Sequence, residues 1–257
     1  MSILFSKEFG IPVDEIIRTG VFDVFLDEDS HFFINIKRLQ ETDVSEFVGA
    51  YNSINEYFRE IGLLLKSSKH GNKLYREALK RFDFPEVNGI NLGFSAGRHG
   101  AGFGKQLRNQ IIADAYEIIQ SGSEQPEIFH LTSLFEENVG PDRLSDMFAR
   151  LIYKNILAYT KRICQELKIV PENYPAYQFS NGLLINPYKK VKLLLLPVDI
   201  LHELPIARCW DDIDRVCREN EAIHDEINSL VGNEWNKMAS SEKNDIYVTG
   251  FLKTPNA

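Results

Sequence analysis

Two aspartates near the middle of the chain have the spacing of paired metal ligands. Asp142 and Asp146 are four residues apart, so a helix would place both carboxylates on one face, and Glu136 and Glu137 stand just upstream. Mg²⁺ is bound in proteins through carboxylate oxygens, which makes the two aspartates the candidate catalytic and Mg²⁺-binding residues. The structural alternative is that acidic side chains favour a helix N-terminus and that Asp146 pairs with Arg150 one turn later.

A glycine-dense loop earlier in the chain is suited to binding an anion. Its glycines lead into a lysine at a predicted helix start, where backbone N–H groups and the positive end of the helix dipole meet a phosphate. Two nucleotide-binding patterns nevertheless fail here, because His99 replaces the first glycine of G-x-x-x-x-G-K-[ST] and Lys105 replaces the last glycine of G-x-G-x-x-G. A structural loop is therefore the alternative. The candidate phosphate- or nucleic-acid-binding residues are Gly97, Arg98, His99, Gly100, Gly102, Gly104, Lys105 and Arg143.

Two further strings resemble nuclease motifs. Pro141-Asp142 followed by the ELK of residues 166–168 matches PD-(D/E)xK, whose second acid and lysine share one face of a strand. The helical pattern here continues through residue 166, and helical residues two apart point about 200° away from each other, so this match is coincidental. Arg218 and His224 match the R-x(4-6)-H of HEPN ribonucleases, but about one such match is expected by chance. A HEPN-like ribonuclease is kept as a third alternative.

The composition excludes several classes of protein. The chain of 257 residues is 44% hydrophobic, which is enough for a sizeable core, and it has no apolar run long enough to cross a membrane. Because its net charge is −8, any contact with nucleic acid must come from a local basic patch. The N-terminus lacks the pattern of a secretory signal, which predicts a cytoplasmic protein. Cys164, Cys209 and Cys217 lack disulfide or zinc-site spacing, so each is predicted to be a buried reduced thiol.

Hydrophobic periodicity predicts an α+β protein that is mainly helical with a small β-sheet. The sheet combines an N-terminal hairpin over residues 20–39 with short strands in residues 88–95 and 191–201. Helices are predicted over residues 42–66, 73–82, 105–120, 141–168 and 211–237.

The domain organisation is predicted to be simple. A single α+β domain covers residues 1–240, with a sub-boundary near residues 170–180 as an alternative, and residues 241–257 form a loosely ordered tail. Thr42 or Asp43 is expected to cap the helix over residues 42–66, with Glu46 as the capping-box partner of Asp43.

Two blocks of the sequence, LFEENVGPDRLSDMFARLI and LLLLPVDILHELPIARCWDDID, contain the patterns GPDRxSDM and LPxDIL. With these patterns the sequence resembles a family of bacterial proteins encoded among phage-defence and mobile-element genes. HFFINI and FPEVNGINLGFSAGRHGAGFGK resemble further blocks, so the likeness covers most of the chain. Some longer members of the family carry a C-terminal segment that resembles a restriction-endonuclease fold.

The resemblance implies an anti-phage defence component that acts on or senses nucleic acid, as the N-terminal region of a metal-dependent nuclease. The alternative is a non-catalytic interaction or regulatory module that works with a partner protein or as a homo-oligomer. The acidic surface and the failed nucleotide-binding patterns favour this alternative. The residues that the resemblance marks as a functional or interface turn are Gly140, Pro141, Asp142, Arg143, Ser145 and Asp146.

Overall fold

The computed structural model describes residues 2–93, 104–120, 122 and 141–203, without the side chains of residues 141–144. The described residues belong to two compact units. Unit 1 contains residues 2–54, 84–93 and 141–203, and unit 2 contains residues 55–83, 104–120 and 122. The tail predicted over residues 241–257 and the helix predicted over residues 211–237 lie outside the described residues, and the single domain over residues 1–240 stays a prediction.

The described elements are mostly helices, and the strands are short. In chain order they are α1 (Phe5–Glu8), α2 (Val13–Thr19), β1 (Phe32–Ile34), α3 (Ile36–Glu41), α4 (Ala50–Lys66), α5 (Lys73–Arg81), α6 (Lys105–Gln120), α7 (Pro141–Leu151), α8 (Tyr153–Glu166), β2 (Phe179–Ser180), β3 (Leu183–Leu184), a 3₁₀ turn (Val198–Ile200) and β4 (Leu201–Glu203). The predicted class, α+β and mainly helical, is confirmed.

Each of the two described sheets has two antiparallel strands, and both lie in unit 1. β1 pairs with β4, and Phe33 stands opposite His202 in that ladder. β2 pairs with β3 across Asn181 and Gly182, whose φ angles of 53° and 76° are those of a type I′ hairpin turn. The Asn-Gly dipeptide is therefore the local signal for the hairpin that does form.

The hairpin predicted over residues 20–39 is corrected by the structure. β1 forms within that range, but its partner is β4, while Val21 bridges Pro197 instead of pairing inside the predicted hairpin. The chain turns helical immediately after β1 because the Asn35 side chain accepts hydrogen bonds from the backbone N–H groups of Lys37 and Arg38, at 2.9 and 3.1 Å. An N-cap thus replaces the second half of the predicted strand with α3.

Two predicted helices start or end differently in the structure. α4 begins at Ala50 instead of residue 42, and Val48, predicted on its apolar face, is 65% exposed. The helix predicted over residues 141–168 is divided at Ile152, whose φ and ψ are −95° and 17°. The apolar stripe nevertheless continues through the break, since Phe148, Ile152 and Ile156 are all buried.

The apolar run of residues 193–196 forms the centre of unit 1. Leu193, Leu194, Leu195 and Leu196 are at most 3% exposed. Buried backbone needs hydrogen-bond partners, and the neighbouring elements supply them. The N–H of Leu195 donates to Oγ1 of Thr160 on α8 at 2.9 Å, and the N–H groups of Leu193 and Leu194 donate to carbonyl oxygens at 2.8 and 2.9 Å. The predicted burial is confirmed, although the run lies between isolated bridges and is not part of a regular strand.

Unit 2 is built from the later part of α4 together with α5 and α6. Each helix turns a buried apolar face inward, as the periodicity predicted, and the bounds of α5 and α6 match the prediction to within one residue. Tyr75, Ala78 and Phe82 at the inner side of α5 are at most 5% exposed. Packing of this face leaves the opposite face of α5 in solvent.

Candidate nucleic-acid interface

The predicted glycine loop lies mostly outside the described residues. Gly97, Arg98, His99, Gly100 and Gly102 belong to that part of the chain. Two of the candidates are described: Gly104 immediately precedes α6, and Lys105 is exposed as its first residue.

The basic charge at the start of α6 is partly neutralised. Nη1 of Arg108 lies 2.6 Å from Oδ1 of Asp83, and the backbone N–H of Arg108 donates to the carbonyl of Gly104 at 3.0 Å. A phosphate site at the start of α6 stays a prediction.

The predicted aspartate pair lies on α7. The backbone of Asp142 and Arg143 is helical, whereas their side chains are outside the described residues. Asp146 is half-buried and makes an interaction of its own. In residues 2–93, 104–120, 122 and 141–203, no group of three or more His, Cys, Asp or Glu side chains is placed to hold a metal ion. Mg²⁺ binding at Asp142 and Asp146 therefore stays a prediction. Aspartate carboxylate oxygens are hard donors of the kind that Mg²⁺ prefers.

Ser145 of the same turn has a structural contact. It is 5% exposed, and its Oγ accepts a hydrogen bond of 2.9 Å from the backbone N–H of Ile34 in β1. This contact covers part of the edge of β1 that faces away from β4. Three of the four blocks in the resemblance, HFFINI, GPDRLSDM and LPVDIL, thereby meet at β1, α7 and β4. The Ser145 side chain therefore has a packing contact at the place where these blocks meet.

Arg162 of unit 1 is bound by two carboxylates of the same unit. Nε and Nη2 of Arg162 bind the two carboxylate oxygens of Glu46 at 2.6 and 3.2 Å, and Nη1 binds Glu166 at 2.7 Å. The hydrogen bond from Arg162 holds the pKa of Glu46 below its usual value. Glu46 therefore does not act as the predicted capping-box partner of Asp43, and Arg162 is already occupied by two carboxylates.

The described cysteine is inert at neutral pH. Cys164 is 4% exposed, and burial raises the pKa of its thiol to about 11. The prediction of a buried reduced thiol is confirmed for Cys164, while Cys209 and Cys217 lie outside the described residues.

A basic surface that the sequence interpretation missed lies in unit 2. Residues 66–81 contain six Lys or Arg residues and a single Glu, in a chain whose net charge is −8. Lys73, Arg76 and Lys80 of this segment are exposed on α5. At 100° per residue their positions fall within about 60° of each other around the helix axis. We call these three residues the basic stripe.

The cations of the basic stripe differ from their neighbour Arg81. Nη1 of Arg81 binds Glu60 at 2.6 Å and its Nε lies 3.7 Å from Glu77, so its charge is balanced. Lys73, Arg76 and Lys80 have no carboxylate within ion-pair distance among the described residues. Unbalanced positive charge is therefore concentrated on the exposed face of one helix.

Three rings stand at the N-terminal end of the basic stripe. His70, in the turn before α5, has its ring centroid 4.8 Å from that of Tyr75 and 6.0 Å from that of Tyr116 on α6. Tyr75 and Tyr116 meet edge to face at 5.4 Å. His70 is exposed and Tyr116 half-exposed, whereas Tyr75 is 5% exposed and supports the other two rings from below.

The sequence alone contains one indication of this surface, which is the local excess of Lys and Arg in residues 66–81. The chain total of −8 hides it, because acidic residues elsewhere outnumber the local excess of Lys and Arg. Local charge alone would not have placed the rings beside it, since Tyr116 is more than forty residues from Tyr75 in the chain. The contact between α5 and α6 is what brings them together.

Comparison with known proteins identifies the family of the chain. No helix among the described residues combines the length and apolar character that a bilayer span requires. Neither the curated proteins nor the solved structures provide a match. One family model, described as a domain of unknown function (DUF8370), matches residues 10–208. Because this match includes β1, the basic stripe, α7 and β4 and spans more than half of the chain, the protein belongs to the DUF8370 family.

Proposed function

We propose that the protein is a bacterial anti-phage defence component that senses or acts on nucleic acid, and that it contacts the phosphate backbone through the basic stripe. The observation that carries this proposal is the row formed by Lys73, Arg76 and Lys80, which is exposed and has no carboxylate partner among the described residues. Lys and Arg side chains bind phosphate by replacing condensed counterions, and several on one rigid face bind together.

The packing of α5 favours nucleic acid over a lipid surface. A basic amphipathic helix that binds membranes must insert its apolar face among the acyl chains. In unit 2 that face is occupied, because Tyr75, Ala78 and Phe82 are buried against the rest of the unit. Only the charged face of α5 is left for a partner, and a polyanion suits it.

The defence role and the nuclease activity rest on the resemblance of the four sequence blocks. In this proposal Asp142 and Asp146 would hold Mg²⁺, which would supply a positive charge for a phosphate oxygen. Their spacing of four residues on α7 supports this part of the proposal. Calorimetric titration with Mn²⁺ of the protein and of its Asp142→Asn/Asp146→Asn variant tests it, and equal heats would refute it.

The binding proposal is tested by removing the charge of the basic stripe. The variant Lys73→Gln/Arg76→Gln/Lys80→Gln keeps good helix formers on an exposed face. The matched control, Lys7→Gln/Lys154→Gln/Lys161→Gln, removes three exposed lysines of unit 1. Fluorescence anisotropy with labelled DNA and RNA should show the affinity falling at least about tenfold for the stripe variant and little for the control. Equal affinities of the two variants would exclude the stripe as the binding surface.

A second candidate function, the interaction module, is favoured by α2. This helix has no buried residue, and Val13 and Ile17, which are one turn apart, are 64% and 74% exposed. Adjacent exposed apolar side chains on one helix are typical of a protein contact. If they join two copies of the chain, Val13→Ser/Ile17→Ser should convert a dimer to a monomer in sedimentation equilibrium. A monomeric parent protein would exclude the homo-oligomer.

A further inference from the structure

We propose that the basic stripe and the rings beside it bind single-stranded nucleic acid, with the phosphates on the stripe and an unpaired base stacked on the ring of His70, with Tyr116 at the edge of the base. This inference rests on the proposed function, and it specifies the class of nucleic acid. It draws on two features of unit 2 that are independent of each other, the charge on α5 and the ring cluster.

The ring cluster can hold a base because two of its members are open to solvent. His70 is exposed and Tyr116 half-exposed, while Tyr75 fixes both from the buried side at 4.8 and 5.4 Å. Stacking on an aromatic side chain stabilises a bound single-stranded base by about 1 to 3 kcal/mol and needs no particular sequence. A ring that is already held in place loses little freedom when a base binds.

Negative charge near the rings keeps the phosphate contact of a bound strand apart from its base contact. Burial raises the pKa of Tyr75, and Tyr116 and the carboxylates of Asp114 and Glu117 raise it further. Asp114 and Glu117 lie within two residues of Tyr116 on α6, and negative charge there disfavours a phosphate at the rings. The backbone of a bound strand is directed to the basic stripe, and the uncharged face of a base is left for the rings.

The position of the rings along the chain supports the same arrangement. His70 lies in the turn between Lys69 and the first residue of α5, so the ring cluster adjoins the end of the stripe at Lys73. From Lys73 to Lys80 the helix rises about 10 Å, which is enough to follow a few consecutive phosphates. A duplex would offer phosphates to the stripe, but its bases are stacked inside the helix and cannot reach His70 or Tyr116.

The test compares single and double strands with two kinds of variant. Anisotropy is measured with a labelled single strand of about 16 nucleotides and with the same strand annealed to its complement. The ring variant is His70→Ala/Tyr116→Leu, and its conservative control, His70→Phe/Tyr116→Phe, keeps an aromatic ring at both positions. Thermal unfolding by circular dichroism checks that each variant is folded.

The ring variant is expected to change the affinity for the single strand and not the affinity for the duplex. The ring variant should bind the single strand about tenfold more weakly and the duplex as before, whereas the conservative control should bind both normally. The stripe variant Lys73→Gln/Arg76→Gln/Lys80→Gln should lose affinity for both.

The possible failures are distinguishable. If the stripe variant binds as tightly as the parent protein, the proposed function fails. If only the stripe variant weakens and the ring variant does not, or if the duplex is bound more tightly than the single strand, the present inference fails while the proposed function stands. Binding of anionic phosphatidylglycerol vesicles in preference to either oligonucleotide would overturn both.

Discussion

At the scale of single residues, the guanidinium of Arg162 is held in place by several contacts within unit 1. Glu46 and Glu166 bind it from two sides, and its Cζ lies 5.1 Å from the centroid of the Tyr159 ring. Tyr159 is fully buried, and burial raises the pKa of its hydroxyl. The Tyr159 hydroxyl has no hydrogen-bond partner among the described residues, but the two carboxylates balance the charge of Arg162. The ion pairs therefore stabilise unit 1 and leave the Arg162 charge occupied.

We expect Glu46→Gln to lower the free energy of unfolding by about 1 to 3 kcal/mol at pH 7, because the variant loses a charge-assisted hydrogen bond. The pKa of Glu46 is lower in the folded protein than the ordinary glutamate value of 4.5. Its contribution is therefore complete above pH 4.5 and is lost as the pH falls through the folded pKa. Urea unfolding at neutral and acidic pH measures the difference, which should shrink in acid.

Glu56→Gln is the control for Glu46→Gln. Glu56 pairs with Arg59 at 3.3 Å on the surface of unit 2, where its side chain is 68% exposed and the pair is screened by water. The control should change stability little at either pH. A loss for Glu46→Gln that is the same at neutral and acidic pH would contradict an ionic role for that residue.

Glu46 and Ser145 show why sequence spacing does not find distant partners. Spacing suggested that Glu46 would complete a capping box, but its partner is Arg162, which is 116 residues away. Ser145 was marked as part of a functional or interface turn, which stays a prediction, and its Oγ accepts a hydrogen bond from the backbone N–H of Ile34, which is 111 residues away. Local spacing can predict only local partners, and both of these contacts depend on how the elements pack.

At the scale of elements, the helices with regular apolar faces were predictable and the strands were not. α5 and α6 bury residues at three- and four-residue intervals, which is the pattern that periodicity detects. β1 has three residues, and its partner β4 begins at Leu201. A strand this short carries too little alternation to predict its pairing, and the cap at Asn35 ended it earlier than its apolar residues suggested.

Gly89 lies close to the backbone of Lys192. Its φ is +97°, and a Cβ at this position would lie 1.9 Å from the carbonyl oxygen of Lys192. We expect Gly89→Ala to lower the free energy of unfolding by about 3 kcal/mol or more, since it adds a backbone clash to the cost of positive φ. Chemical denaturation measures this loss.

Gly182→Ala separates the two parts of that cost. Gly182 also has a positive φ, +76°, but no atom lies within 4 Å of the position that a Cβ would take. The control should lose only about 1 kcal/mol, from the left-handed conformation alone. If the two variants were equally destabilised, the approach of residue 192 would not be the reason for a glycine at position 89.

At the scale of the whole molecule, the sign of the net charge and the sign of the candidate interface are opposite. The sequence predicts that only a local patch could contact nucleic acid, and the glycine loop was the place where that patch was expected. Most of this loop lies outside the described residues, whereas the basic stripe lies on α5. α5 was predicted from its apolar residues, which indicate only how the helix packs. The charge on its exposed face was therefore not recognised.

Because the net charge is negative and the basic stripe is positive, unusual binding kinetics are predicted if the stripe is the interface. A net charge of −8 repels a polyanion at long range, while Lys73, Arg76 and Lys80 attract it at contact. Between about 0.01 and 0.1 M salt the Debye length falls from about 30 to about 10 Å, so both effects are screened together. We expect the association rate to change by less than about tenfold over this range. The affinity should fall about 100-fold, mainly through faster dissociation.

Stopped-flow mixing with a labelled single strand measures both rates, and the triple variant of Lys7, Lys154 and Lys161 supplies the control. It makes the molecule more negative without altering the stripe, so it should slow association at low salt and leave dissociation unchanged. An association rate that falls about 100-fold with added salt, at constant dissociation, would mean that the strand is steered by a positive field. Such a field would have to originate elsewhere on the molecule, because three cations on α5 are too few to outweigh the net charge at a distance.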